Sequence, residues 1–157
     1  MASINLNDFK KQNCIGKGTY SKVYKIIEKN TNEIFAAKVL FEKFDENSSE
    51  KLTTLSQEVN ITAGLNHPSI LRFKGFSPID FKKRPRPVII TEYASNGTLE
   101  DHLIKDRLQS WSYLSDTQKL IIIYGIASAM SYLHANNIIH RDLKPANILV
   151  DDFLFPK

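Results

Sequence analysis

Three groups of residues in this 157-residue chain have types and spacings that suit chemistry on phosphate. The first is Gly16-Lys17-Gly18-Thr19-Tyr20-Ser21, followed by Val23. Glycine has no Cβ, so the backbone N–H groups of a glycine-rich turn can approach phosphate oxygens closely. A G-x-G pattern is equally at home in a plain hairpin turn. The second is Lys38, alone in the apolar run Phe35-Ala36-Ala37-Lys38-Val39, where an ammonium on a buried strand needs a partner. Glu58 is the candidate, either paired with Lys38 or a solvated glutamate on a helix face.

The local pattern excludes the common nucleotide folds. A dinucleotide fingerprint needs a helix to open at the glycines and an acid about 20 residues later. Here Val23–Ile27 reads as a strand, and Lys38 stands at that distance. No G-x-x-x-x-G-K-[ST] sequence occurs, which excludes a P-loop. What is left is a glycine hairpin between strands with a lysine on the next strand, suited to covering a nucleotide and holding its phosphates.

The third group is His140-Arg141-Asp142-Leu143-Lys144-Pro145-Ala146-Asn147. These eight residues resemble the catalytic loop of eukaryotic protein kinases, in which an aspartate meets the substrate hydroxyl and an asparagine five residues later holds a metal ion. The resemblance extends in the family's order along residues 9–157, with about 9–93 as the N-lobe and 94–157 as the hinge and the start of the C-lobe. It implies an α+β, protein-kinase-like fold: a complete β-rich N-lobe with one main helix, then the first part of a helical C-lobe.

By that resemblance Gly16 to Val23, with Lys17, Gly18, Thr19, Tyr20 and Ser21 between them, is the glycine-rich loop. Lys38 holds the α- and β-phosphates of ATP and Glu58 steadies it. Ile89–Ala94 joins the lobes, with Thr91 as gatekeeper. The Glu92 carbonyl and Ala94 amide bond the adenine, which Ile15, Val23, Ala36 and Leu149 sandwich. Asp142 orients the acceptor hydroxyl, Asn147 binds Mg2+, and Lys144 neutralises the transferring phosphate. A lysine at that position is typical of serine/threonine enzymes. The implied partners are ATP and a protein carrying a Ser or Thr hydroxyl.

Ser21 replaces the loop's third glycine, a minor departure. D-F-G and A-P-E do not occur, so the chain reads as an N-terminal part of a kinase domain. It is expected to transfer no phosphate alone, because Asn147 by itself is a poor magnesium site. Two other readings are a nucleotide-binding or scaffolding module of kinase-like fold and an incomplete gene product without independent activity.

These groups need a scaffold. Val23–Ile27, Ile34–Leu40, Ile70–Phe76 and Val88–Tyr93 are rich in β-branched and aromatic residues and read as strands. Asn47 with Glu50 opens a helix carrying Leu52, Leu55, Val59 and Ala63, which Gly64 and Pro68 end. Ser115 with Gln118 opens a second, apolar on all faces through Leu133 and expected to be buried. Asp151–Asp152 reads as a turn with no strand after it.

Composition fits this scaffold, with 42% hydrophobic and 24% charged residues. Residues 120–140 carry no Asp, Glu, Lys or Arg, yet Ser128, Ser131, Asn136 and Asn137 argue against a membrane span. No secretory h-region opens the chain, and the one cysteine, Cys14, forbids an internal disulfide. A cytoplasmic location is expected. Cys14 reads as a small hydrophobe. His102 and His134 lack metal spacing, and Lys82-Lys83-Arg84-Pro85-Arg86-Pro87 reads as a solvated loop. The net charge of +4 comes from 21 basic and 17 acidic residues interspersed, so no nucleic-acid partner is expected.

Overall fold

The computed structural model describes residues 4–41, 59–108 and 113–157. They fall into two compact units, Met1–Leu65 with Arg72–Tyr93 and Asn66–Leu71 with Ala94–Lys157.

The first unit is an antiparallel five-stranded sheet: β1 (Phe9–Lys17), β2 (Ser21–Glu28), β3 (Ile34–Leu40), β4 (Phe73–Ser77) and β5 (Val88–Glu92), in the spatial order β1-β2-β3-β5-β4. One face packs a core of Phe9, Ile26, Phe35, Ala37, Val39, Val88 and Ile90, with Ile4, Leu6, Tyr24 and Phe81 against it. Ile26 and Ile90 are fully buried, so truncating either to alanine would cost about 2–5 kcal/mol.

β1 escapes the hydrophobic pattern because it is an edge strand with only Phe9 buried, and charges such as Lys10 and Lys11 are what an edge tolerates. β4 begins at Phe73 rather than Ile70. Ile70 N–H donates instead to the His67 carbonyl, and Ile70 and Leu71 group with the second unit. Most of the helix expected from Asn47 lies outside the described residues, as does Glu58; residues 59–64 are helical.

The second unit holds α1 (Leu99–Leu108) and α2 (Asp116–Ala135) around Leu99, Leu114, Ile122, Ile148 and Val150. α2 starts at the expected capping box: the Ser115 hydroxyl accepts from Gln118 N–H at 3.2 Å, and the Gln118 side chain accepts from Ser115 N–H at 2.8 Å. It ends in a left-handed Asn137 (φ 58°), with Ile138 N–H donating to the Leu133 carbonyl and Asn137 N–H to that of His134.

The expectation of an all-round buried helix is corrected. Ile122, Gly125, Ala129 and Leu133 are buried, whereas Leu120, Ile123 and Tyr124 are 67, 63 and 77% exposed. The Asp151 turn is corrected too. The chain folds back after it, so that Leu149 and Lys157 exchange both backbone hydrogen bonds, at 3.0 and 2.8 Å, and Val150 bridges Pro156.

His67 docks residues 66–71 on α2. Its Nδ1 accepts from Ser69 N–H at 3.1 Å, which leaves Nε2–H to face the Ser128 hydroxyl at 3.0 Å. Gly125 shows how tight this layer is: a Cβ there would stand 2.5 Å from Pro156 Cγ and 2.9 Å from Ser69 Oγ. A proline ring cannot rotate away. Gly125→Ala is therefore expected to destabilise the chain by about 1–3 kcal/mol despite the better helix propensity of alanine, read as a lowered Tm in circular dichroism; an unchanged or raised Tm would show that the layer has room.

Candidate active site

In the first unit, strand pairing decides which side chains share a surface. Residues directly opposite each other in an antiparallel pair lie on the same face, and every second residue of a strand returns to it. Val23 pairs with Lys38, Lys25 with Ala36, Ala36 with Thr91, and Lys38 with Ile89. Val23, Ala36, Lys38 and Thr91 thus occupy one face, and the apolar core lies on the other.

The strand burial of β3 alternates, and Lys38 is exposed while Ala37 and Val39 are buried. This corrects the expectation of an ammonium enclosed on a buried strand. Its solvation needs no buried counter-charge on this account. The acid expected beside it, Glu58, lies outside the described residues.

The glycine motif forms the β1–β2 hairpin. Gly16 pairs with Val23 and Lys17 with Lys22; Gly18 N–H donates to the Ser21 carbonyl at 2.9 Å, and Phe41 N–H to the Tyr20 carbonyl at 2.9 Å. Lys17, Thr19 and Tyr20 are exposed at its tip. Neither Gly16 nor Gly18 has a positive φ, and a Cβ on either would meet nothing nearer than 3.6 Å. The hairpin itself therefore makes no steric demand for these two glycines. Just before them Ile15 is 41% exposed, and Cys14 is exposed rather than packed as a hydrophobe, its Sγ donating to the Gly16 carbonyl.

At the end of β5, Glu92 N–H donates to the Arg72 carbonyl, and its Oε1 accepts from Arg72 N–H at 2.9 Å. The Glu92 carbonyl accepts the Thr91 hydroxyl at 3.1 Å.

In the second unit Asp142, Lys144 and Asn147 form one cluster. Asn147 Nδ2 donates to the Asp142 carboxylate at 2.7 Å and to its carbonyl at 2.9 Å, and Lys144 Nζ stands 3.0 Å from the same carboxylate oxygen. Arg141 is left-handed (φ 65°), and Asp142 N–H donates back to the His140 carbonyl at 2.9 Å. This tight turn presents the aspartate to solvent, its side chain 64% exposed.

A 3₁₀ turn, Pro145–Asn147, then enters a short ladder. Leu99 N–H donates to the Ile148 carbonyl, Val150 N–H to that of Gly97, and Asn96 N–H to that of Val150. Gly97 is the one described glycine with positive φ (74°). Thr98 and Asp101 cap α1 reciprocally, with Asp101 N–H to Thr98 Oγ1 at 3.1 Å and Thr98 N–H to Asp101 Oδ2 at 3.1 Å. The sequence reading missed this anchor, although Thr-x-x-Asp before Leu99 and a glycine at 97 are signals for it. Ile148 and Val150 are buried below the loop, and Leu149 is half-buried between them.

The Lys144 and Asn147 hydrogen bonds hold the Asp142 carboxyl below the usual carboxylate range, against a smaller opposing effect of desolvation, and the charges of Lys144 and His140 add to the lowering. Asp142 is thus an anion at neutral pH, an acceptor with one oxygen engaged and one open. Asn147 spends its side-chain amide donors on Asp142. Among the described residues no cluster of three or more His, Cys, Asp or Glu could hold a metal by itself, and no helix is long and apolar enough to cross a membrane.

A group whose folded pKa is lowered contributes stability fully above its unfolded value, and that contribution disappears as pH falls through the folded value. An NMR titration of the Asp142 carboxyl carbon is expected to give a midpoint below about 3.9, the ordinary value for aspartate. Lys144→Ala and Asn147→Ala should each move it upward; a midpoint at the ordinary value, indifferent to both substitutions, would mean the cluster does not persist in solution.

Comparison with known proteins identifies the family. The family description that matches is "Protein kinase domain", over residues 9–154. The chain is 37% identical over 145 residues to serine/threonine-protein kinase Aurora-1 of Arabidopsis thaliana, covering 92% of this chain and 46% of that protein. It is 36% identical over 148 residues to the Aurora kinase of Saccharomyces cerevisiae, covering 94 and 38%. To serine/threonine-protein kinase polo of Drosophila melanogaster it is 32% identical over 149 residues, covering 95 and 24%. The chain thus spans less than half the length of each of these relatives. The chain belongs to the protein kinase domain family.

Proposed function

We propose that this chain carries part of the machinery that transfers the γ-phosphoryl group of ATP to a protein serine or threonine hydroxyl. The observation that carries the reading is the Asp142–Lys144–Asn147 cluster, one exposed anion flanked by an ammonium and an amide on a turn that aims it outward. Relatives named as serine/threonine kinases support the direction of transfer, and so does the lysine two residues after the aspartate.

The residues present fit nucleotide and magnesium. Gly16 and Gly18 keep an open backbone surface that their own hairpin does not require, as a close approach of phosphate would demand. The Asn147 carbonyl oxygen is a hard donor suited to magnesium, which takes few protein ligands and completes its octahedron with water and phosphate oxygens. When bound, magnesium would neutralise charge on the phosphates.

The remaining tasks belong to this chain. Lys38 would hold the α- and β-phosphates, its ammonium supplied from the face shared with Val23, Ala36 and Thr91, opposite the core. Ile15, Val23 and Ala36 would contact the adenine, with the Glu92 carbonyl as a hydrogen-bond partner. Asp142 would accept the hydrogen bond of the incoming hydroxyl and fix its lone pair toward phosphorus. The lowered pKa makes this carboxylate a weaker base than a free aspartate, and the hydroxyl proton would pass to it as the new P–O bond forms. Lys144, already 3.0 Å from that carboxylate, would move its positive charge onto the transferring group. Glu58 would steady Lys38.

Two measurements test this. Calorimetric titration with Mg·ATP should show saturable binding that Lys38→Ala weakens about tenfold, or about 1.4 kcal/mol. In the whole protein that carries this chain, Asp142→Asn should lower the rate of phosphate transfer to a serine-containing protein by about 10²–10⁴-fold while leaving Mg·ATP affinity within about threefold. Transfer that persists in Asp142→Asn would refute the assignment. Binding without any aspartate-dependent transfer would leave a nucleotide-binding module.

A further inference from the structure

The positive charge of the molecule is unevenly placed. Described residues of the first unit include thirteen Lys and Arg against five Asp and Glu, and those of the second six against seven. Part of that excess gathers on the loop between β4 and β5, in Lys82-Lys83-Arg84-Pro85-Arg86. The loop is not merely solvated. The Asp80 carboxylate, nearly buried, accepts from Lys82 N–H at 2.8 Å, Arg84 N–H at 3.0 Å and Arg84 Nε at 2.8 Å, and Arg84 NH2 lies 2.6 Å away. This arrangement satisfies the one acid of the loop internally. Lys82 and Lys83 stay exposed, and Lys83 is fixed in a left-handed turn (φ 57°).

Beside the loop lies a cleft of about 260 Å³, whose walls include Ile4, Leu6, Pro78, Ile79, Phe81 and Lys83. Ile79 is 45% exposed within it. Lys11 adds charge nearby, its Nζ 4.2 Å from the Tyr24 ring centre and 5.9 Å from that of Phe81. The chain before β1 forms the other wall and is tied down by Ile4 N–H to the Phe76 carbonyl and by Lys29 Nζ to the Asn7 carbonyl.

Asn5, Asn7, Ser77 and Asp80, the last neutralised by Arg84, complete the lining; an apolar floor with Lys83 on its wall and Lys82 next to it in the chain selects anionic partners. The cavity is smaller than the roughly 300–1,000 Å³ of small-molecule sites, and suits one bulky side chain. A nucleic acid would need aromatic rings free to stack or a row of cations along a groove, yet Phe81 is packed against the sheet core. A lipid surface would be met by protruding apolar side chains rather than by a recess.

We propose that this cleft docks an acidic peptide segment of a partner protein, with one large aliphatic or aromatic side chain seated on Ile79, Pro78 and Phe81 and flanking carboxylates on Lys82 and Lys83. The site lies wholly within the first unit, and the proposal does not rest on phosphoryl transfer.

Fluorescence anisotropy of the full chain with a labelled peptide, one leucine flanked on each side by two glutamates, provides the test. Saturable binding below about 1 mM is expected, weakened at least tenfold in the K82E/K83E variant and at least fivefold when alanine replaces the leucine of the peptide. Lys105→Glu with Arg107→Glu, on α1, should leave the affinity unchanged. Circular dichroism of each variant reports its fold, and the alanine peptide probes the site in the unaltered chain. Absence of saturable binding, equal binding of leucine and alanine peptides, or indifference to K82E/K83E would overturn the proposal. So would tighter binding to duplex DNA or to phosphatidylserine vesicles than to the peptide.

Discussion

Paired strands cannot choose freely where their side chains go, and that constraint underlies the whole first unit. Because Lys38 is opposite both Val23 and Ile89, it must leave the face that Ala37 and Val39 enter. The same pairing sets Ala36 and Thr91 on its face, so a cation and small side chains share one surface without any side chain being positioned individually. Slipping β3 by one residue would bury the ammonium in the core beside Ile26 and Ile90 and expose Phe35, Ala37 and Val39. The apolar core and the placement of Lys38 are therefore specified together.

The second unit fixes its aspartate by other means. A helix ending at Asn137, a tight turn at Arg141 and a ladder at Ile148 to Val150 hold the loop at both ends. Inside it Asn147 ties to Asp142 through two hydrogen bonds. The charge that would meet a hydroxyl is thus positioned largely by backbone and amide groups, which need no rearrangement as the reaction proceeds.

How much of this is legible in the sequence depends on the kind of force involved. The central strands and the capping box at Ser115 show in the residues because periodicity and caps are local. β1 does not, since an edge strand bearing Lys10 and Lys11 lacks an apolar rhythm. Nor does the exposure of Leu120, Ile123 and Tyr124, because an apolar helix does not reveal which of its faces finds a neighbour. Asp80 binding Arg84 and the two-strand return of Leu149 with Lys157 arise from turn geometry that composition hides. The aspartate loop was legible as a resemblance; its internal hydrogen bonds were not.

The central claim is that the face carrying Lys38 receives the phosphates of ATP. An acyl phosphate derivative of ATP, which passes its acyl group to an amine held beside its phosphates, tests this most directly when labelled lysines are mapped by mass spectrometry. The account predicts that Lys38 is labelled ahead of the chain's other lysines and that excess Mg·ATP suppresses its labelling. Labelling spread evenly over the exposed lysines, with Lys38 unaffected by Mg·ATP, would contradict it.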